Sequence, residues 1–335
     1  MSPSPRNKSK SPGRDAKAAG GRSKKGAHLR SASQRRQERP VALTSALLRR
    51  WPLPQPDDDG DKDERGRVLV VGGASEMPGA VILAATAALR AGAGKLQIAT
   101  VGSIAPTVAG SVPEARVFAL PETKAGAIAA SAAEKILEQA NRAQSVLIGP
   151  GMIGESTISA LLKKLLPEIK GPTLVLDAGA LICVEEDEQC LQGLKGSVIL
   201  TPHAGEMAKM LGTDKAYVML DALATARRAA SSLRAVIALK GRETFIVGPG
   251  TETYCNRTGN VGLATSGSGD TLSGIIAGLA ARGATPLQAA AWGVQLHGRA
   301  GDRLARRMGR LGFLARELLA EVPALMSELE RPKKR

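Results

Sequence analysis

From Arg67 onward, short apolar runs alternate with longer stretches of helical pattern, and this alternation restricts the fold more than any other feature of the chain. Residues 68–71, 96–101, 146–148, 174–176, 198–200 and 236–239 read as strands apolar on both faces. Helical patterns separate most of them, at 80–91, 127–140, 157–165 and 222–233. Strands without a polar face must be covered on both sides, so the expected fold is α/β: a mainly parallel central sheet flanked by helices. Around residues 244–247 and 251–255 the spacing tightens to a Gly-Pro-Gly turn, which predicts a small β-hairpin at one sheet edge. The last third is helical. Thr285-Pro286 is a capping pair for a helix running through Trp292 to about Leu304.

Composition settles what surrounds this body. Phe, Trp and Tyr together make only 2% of the 335 residues, so the core must be Val, Leu, Ile and Ala packed closely. Residues 1–40 hold 12 Lys or Arg against Asp15 and Glu38, a net +10 out of the chain's +15. The high charge thus describes a tail rather than the body, and with few large apolar residues that tail is expected to be disordered. The expected divisions are a basic tail at 1–40, a connecting segment at 41–66 with a short helix over 42–52, the α/β domain at 67–325, and a basic C-terminal tail at 326–335. The acidic run 57–61 reads as a surface loop. No stretch approaches the length of apolar sequence that a membrane span needs. Cys183, Cys190 and Cys255 have no CxxC spacing and cannot all pair, which fits free thiols in a reducing cytoplasm. The near-balanced, aromatic-poor body argues against a nucleic-acid-binding protein.

In open sheets of this type ligands bind beyond the carboxyl ends of the strands, where strand order reverses. The residues just after the apolar runs are rich in chemistry. The strongest stretch runs from Asn260 to Gly267-Ser268-Gly269-Asp270 and opens an amphipathic helix carrying Leu272, Ile275, Ile276 and Leu279. Glycines before a helix let backbone N–H groups converge, and the helix dipole adds positive potential, which makes an anion hole suited to phosphate. Asp270 at its mouth is placed to act as general base for an attacking hydroxyl; the alternative is a residue that merely caps the helix. Other strand ends carry Gly72-Gly73 leading to Pro78-Gly79-Ala80, Gly149-Pro150-Gly151, Asp177-Ala178-Gly179, Thr201-Pro202-His203-Ala204-Gly205-Glu206 and Lys240-Gly241-Arg242-Glu243-Thr244. Neither a GxGxxG nor a GK[ST] phosphate loop is present. Each cluster taken alone has a structural alternative: His203 a hydrogen-bonded framework residue, Glu206 a first-turn acid, Lys240 an exposed cation.

Taken together and in this order, these motifs resemble the nucleotide-dependent NAD(P)H-hydrate dehydratases, a branch of the ribokinase-like superfamily, over about residues 66–320. The resemblance implies a ribokinase-like fold. It also implies repair of NADH or NADPH hydrated on the nicotinamide ring: phosphorylation of the ring hydroxyl by ADP or ATP with Mg²⁺, then elimination of phosphate. By motif position, Asp270 would be the catalytic base, and Ala80, Gly151 and His203 would line the hydrate pocket with it. Lys240, Gly241, Arg242, Glu243, Thr244, Gly267 and Gly269 would hold the nucleotide, and no metal-ligating residue is assigned. The expected partners are the hydrated dinucleotide, an adenine nucleotide and further copies of the chain. A separate hydrate epimerase is also implied, residues 1–66 being too short and polar to supply one. The family pattern Asp-Ala-Asp-Ala-Leu-Asn reads Asp177-Ala178-Gly179-Ala180-Leu181-Ile182 here, without the second carboxylate and the amide. The rival reading is a small-molecule kinase of the same fold acting on a thiazole, pyrimidine or pyridoxal substrate.

Overall fold

In the computed structural model, which describes residues 39–330 except 58, 60, 61, 63, 195 and 196, the apolar runs form one ten-stranded sheet. The strands are β1 (Val41–Ala42), β2 (Arg67–Val71), β3 (Lys95–Val101), β4 (Ala115–Leu120), β5 (Ser145–Ile148), β6 (Thr173–Leu176), β7 (Val198–Leu200), β8 (Val236–Leu239), β9 (Thr244–Val247) and β10 (Thr253–Asn256). The early helices are α1 (Ser45–Arg50), α2 (Pro78–Arg90), α3 (Ala105–Ser111), α4 (Ala133–Ala140), α5 (Glu155–Leu165) and α6 (Ile182–Glu186). They are followed by α7 (Ala204–Met210), α8 (Lys215–Leu220), α9 (Ala222–Leu233), α10 (Ser268–Ala281), α11 (Pro286–Met308) and α12 (Ala315–Glu330).

The order across the sheet is β1-β10-β9-β8-β7-β6-β5-β2-β3-β4. Every pairing from β4 through β8 is parallel, and β8, β9 and β10 form an antiparallel meander. The chain steps outward from β2 through β3 to β4, then returns past β2 to β5 and proceeds the other way. Strand order therefore reverses between β2 and β5, whose following loops are tied together by Gly73 N–H donating to Pro150 O at 2.8 Å. Every residue of β5 and β8 is buried, as strands covered on both faces require. Helices α2, α10, α11 and α12 form a continuous layer over the sheet, while α4 packs on β2 and α9 on β8 and β9.

Small residues set the closeness of that layer. Cβ atoms added at Gly274 and Gly278 of α10 would lie 2.1 Å from Ala84 O and 2.3 Å from Ala88 O of α2. Only hydrogen fits there, so the two helices run side by side with their N-termini at the same end of the sheet. A core so poor in aromatics closes by backbone approach rather than by side-chain bulk.

The structure departs from the sequence expectations at both ends of the body. The segment expected to connect the tail to the domain supplies α1 and an edge strand: β1 pairs in parallel with β10, so the hairpin lies one strand in from the edge. Leu43, Leu48 and Leu53 are buried, and Trp292 Nε1 donates to Trp51 O at 2.8 Å. Three apolar residues among many polar ones were enough to anchor the segment. The second hairpin strand begins at Thr253 because Thr251 still belongs to the turn, its N–H bonded to Gly248 O. Edge strand β4 was not foreseen, its outer residues being exposed and its run of apolar residues short. Helix α11 continues past Leu304 to Met308, and α12 reaches Glu330 because Leu325 and Leu329 extend its buried stripe past residue 325. The tail expected at 1–40 falls, up to residue 38, outside the described residues, as do 331–335 and most of the acidic run 57–61.

Candidate active site

Three adjacent parallel strands deliver the polar side chains. Asp177 follows β6, Thr201 and His203 follow β7, and Lys240 follows β8. The backbones stay in register beyond the strand ends: Lys240 N–H donates to Pro202 O at 2.8 Å, and His203 and Lys240 form a further parallel bridge. Asp177 is buried at 2% exposure, and its Oδ1 accepts from Thr201 Oγ1 at 2.7 Å and from Lys240 Nζ at 3.0 Å. Glu206 Oε2 lies 3.7 Å from the same Nζ. The next backbone residue, Ala178, takes a left-handed φ of 48°, rare for a residue with a side chain.

Helix α10 points its N-terminus at this cluster. Its N-cap is Gly267, at φ 84°, with no side-chain cap hydrogen bond, so Asp270 in the first turn is not the capping residue. First-turn N–H groups lack intrahelical acceptors and present positive potential. Lys240 Nζ stands beside this turn: a Cβ on Gly269 would be 3.6 Å from it. His203 does serve as a framework residue, since it caps α7. Its Nδ1 accepts from the N–H groups of Gly205 and Glu206 at 3.0 and 3.1 Å, while Glu206 Oε2 accepts from His203 N–H at 2.7 Å. That bonding leaves Nε2 on the exposed side of the ring, 3.5 Å from Glu206 Oε1.

The cluster shapes the proton affinities. Burial, then the neighbouring Asp177 charge, push the Asp270 carboxyl up to about 6 against the pull of Lys240, with Glu206 adding a smaller push. Burial works against the Lys240 ammonium, but Asp177, Glu206 and Asp270 outweigh it and hold its pKa above the usual lysine value. His297 of α11 is buried, with Nε2 3.0 Å from Ser268 Oγ, and burial lowers its pKa to about 4, so it is neutral at physiological pH.

A cavity of about 910 Å³ opens beside Lys240, with His203, Lys240, Gly241, Arg242, Thr244 and Gly269 in its wall. The rest of its wall comes from residues between Asn256 and Thr265, from Ser268 and Leu272 of α10, from Arg310, and from Val294, His297 and Gly298 of α11. That volume and mixed lining suit a mononucleotide. Glu243 faces a neighbouring cavity of about 750 Å³ that shares His203, Lys240, Gly241 and Arg242. Ala80 and Gly151 meet each other at the switch point: a Cβ on Gly151 would lie 2.9 Å from Ala80 Cβ. Gly267 abuts Leu83 of α2, the helix whose first turn holds Ala80. The expected residues thus divide between a nucleotide-sized cavity and the β2–β5 crevice, with Asp270 on α10 near Lys240. Two residues went unassigned from sequence. Asp177 was noted at a strand end but given no role, and His297 lies inside a long amphipathic helix where nothing distinguishes it from core.

Comparison with known proteins fits this arrangement. The family model for NAD(P)H-hydrate dehydratase matches residues 68–324. The chain belongs to the NAD(P)H-hydrate dehydratase family. An ADP-dependent (S)-NAD(P)H-hydrate dehydratase of Xanthomonas campestris is 48% identical over 86% of this chain and 97% of its own length. A bifunctional NAD(P)H-hydrate repair enzyme of Moorella thermoacetica is 43% identical, but this chain spans only 54% of it. Among solved structures, the ADP/ATP-dependent NAD(P)H-hydrate dehydratase of Bacillus subtilis, co-crystallised with ATP and Mg²⁺, superposes with a TM-score of 0.71 at 29% identity, covering 87% of this chain and 99% of that one. A ribokinase-like superfamily protein of Enterococcus faecalis superposes with a TM-score of 0.73 at 27% identity, covering 87% and 97%, and the fold is ribokinase-like.

Proposed function

We propose that this family member restores NADH and NADPH from their ring hydrates, using ADP (or ATP) as phosphoryl donor, with Asp270 as the base. The observation that carries the reading is the position of Asp270. It stands at the N-terminus of α10 near Lys240, and that lysine and Gly269 line a cavity of about 910 Å³. In this reading Lys240 to Thr244 and the N–H groups at Gly267 and Gly269 hold the nucleotide phosphates. The hydrated ring lies in the β2–β5 crevice beside Ala80 and Gly151, with His203 reaching it from the wall of the nucleotide cavity.

Asp270 takes the proton of the ring hydroxyl as the hydroxyl oxygen attacks the terminal phosphoryl group, and AMP leaves when ADP is the donor. The phosphate ester then loses phosphate from the ring carbon and a proton from the adjacent carbon, restoring the double bond of the dihydropyridine. A base with a pKa near 6 is ionised at neutral pH yet close enough to it to accept a proton efficiently. Lys240 and the first-turn N–H groups meet the charge that develops on the transferring phosphoryl; one well-placed donor of this kind is worth about 3–4 kcal/mol.

Among the described residues no three His, Cys, Asp or Glu side chains converge as metal ligands, and Asp177 and Glu206 are both turned toward Lys240. Mg²⁺ bound with the nucleotide would neutralise phosphate charge in the cavity wall that Lys240 and Gly269 line. Among the described residues no helix is long and apolar enough to cross a membrane, and all three cysteines are free; we place the enzyme in the cytoplasm. Further copies of the chain as partners, and a separate epimerase, remain part of this reading.

The test is ³¹P NMR of hydrated NADH with ADP, Mg²⁺ and the purified protein. One AMP and one phosphate should appear for each NADH restored. A stable phosphorylated product of some other alcohol, with no NADH formed, would move the protein to the small-molecule kinases.

A further inference from the structure

Asp177 is the most buried charge near the site, and the reaction as written leaves it without a task. Its Oδ1 takes two hydrogen bonds, from Thr201 at 2.7 Å and Lys240 at 3.0 Å, and its own backbone leads into the left-handed turn at Ala178. Lys240 lies in reach of three carboxylates on three elements: Asp177 after β6, Glu206 on α7 and Asp270 on α10. It makes its hydrogen bond to Asp177, stands 3.7 Å from Glu206, and makes no hydrogen bond to Asp270. That choice has a consequence for proton transfer. A lysine paired directly with Asp270 would make it a poor base, whereas a lysine held by Asp177 still lines the nucleotide cavity.

We propose that Asp177 is a positioning residue that holds the Lys240 ammonium toward the nucleotide cavity and away from Asp270, so that Asp270 stays an unpaired base. The proposal rests on the reading of Asp270 as the base. The groups that face Asp270 are Asp177, Lys240 and Glu206, with His203 at the opposite end of Glu206 and His297 neutral behind Ser268. Asp177 enters twice, as a like charge and as the holder of the cation. Its removal therefore drives Asp270 in one direction only. In Asp177→Asn the like charge is gone and Lys240 is free to swing to Asp270, and both changes favour the ionised carboxylate.

The experiment follows the side-chain carboxyl ¹³C resonance of Asp270 in the nucleotide-free protein across pH, with Asp270→Asn used to assign the peak. This readout needs no turnover, so it stands apart from the success or failure of the dehydratase reading. The midpoint should fall from about 6 in the wild type, by about one pH unit, in Asp177→Asn. In Lys240→Met it should rise above the wild-type value, because Asp177 and Glu206 then act without the cation. If turnover is present, the acid limb of kcat/KM should move in the same two directions. An Asp270 midpoint unchanged in Asp177→Asn, with the variant folded, overturns the proposal and leaves Asp177 a framework residue. Should Asp177→Asn not fold, the Lys240→Met titration decides: an unmoved or lowered midpoint overturns it equally.

Discussion

Removing the charge of Asp270 should make the protein more stable while abolishing its activity. The carboxyl is raised from an ordinary value of 3.8 to about 6, chiefly by burial and by Asp177, so its ionised form is disfavoured in the fold. Two pKa units correspond to about 3 kcal/mol. Asp270 is only partly buried, so solvent screening reduces the figure to about 1–2 kcal/mol. The sign follows from linkage: a raised carboxyl pKa contributes stability that is complete below about 3.8 and lost as pH rises through about 6. Asp270→Asn escapes that loss. Its melting temperature should exceed that of the wild type by about 2–3 °C at pH 8 and match it near pH 4, as followed by differential scanning fluorimetry. Turnover should fall at least 100-fold, the usual scale for loss of a general base. A variant no more stable than the wild type at pH 8 would refute the claim that this carboxylate is held under electrostatic strain.

Other consequences of the site can be measured directly. The kcat/KM profile should show an acid limb near pH 6, rising with pH as Asp270 ionises; a limb near 4 would mean that its neighbours do not perturb it. At His203, replacement by Asn keeps a side-chain acceptor for the Gly205 and Glu206 N–H groups, whereas Ala does not. His203→Ala should lose about 1 kcal/mol of stability and His203→Asn much less, while both raise KM for the hydrated dinucleotide if the ring nitrogen contacts it. In the α2–α10 contact, Gly278→Val places carbon where the Ala88 carbonyl stands, 2.3 Å from a Cβ. About 3 kcal/mol of stability should be lost in urea denaturation, without any contact to the site.

Much of the fold was legible because its central strands are apolar on both faces, a pattern few other arrangements tolerate. Strands β2, β3 and β5 to β8 follow from such runs, β9 and β10 from the hairpin spacing, and the loops after the parallel strands collect the glycines and polar residues. What escaped notice is marginal in the same physical sense. β1 is two residues long, and β4 lies at the edge with Arg116 and Ala119 exposed and no regular alternation, so neither has a strong pattern. The short helix expected over 42–52 is present as α1, but its docking was not legible, because only Leu43, Leu48 and Leu53 and the bond from Trp292 to Trp51 O anchor the segment. At the site, the sequence placed Lys240 and His203 at strand ends and Asp270 at the start of a helix but did not reveal how they pair. The bond from Lys240 to Asp177 joins residues 63 apart in the chain and depends on β6 and β8 flanking β7, which strand order alone decides. His297 is hidden for another reason: its α11 neighbours Leu296 and Ala300 are core residues, and only the proximity of Ser268 gives its ring a polar partner.

The most direct measurement of the central claim is absorbance at 340 nm after the purified protein is added to hydrated NADH with Mg²⁺ and either ADP or ATP, beside the Asp270→Asn variant. The account predicts recovery of the dihydropyridine band that depends on nucleotide and is absent with the variant. No recovery from folded wild-type protein that still binds the nucleotide would contradict it.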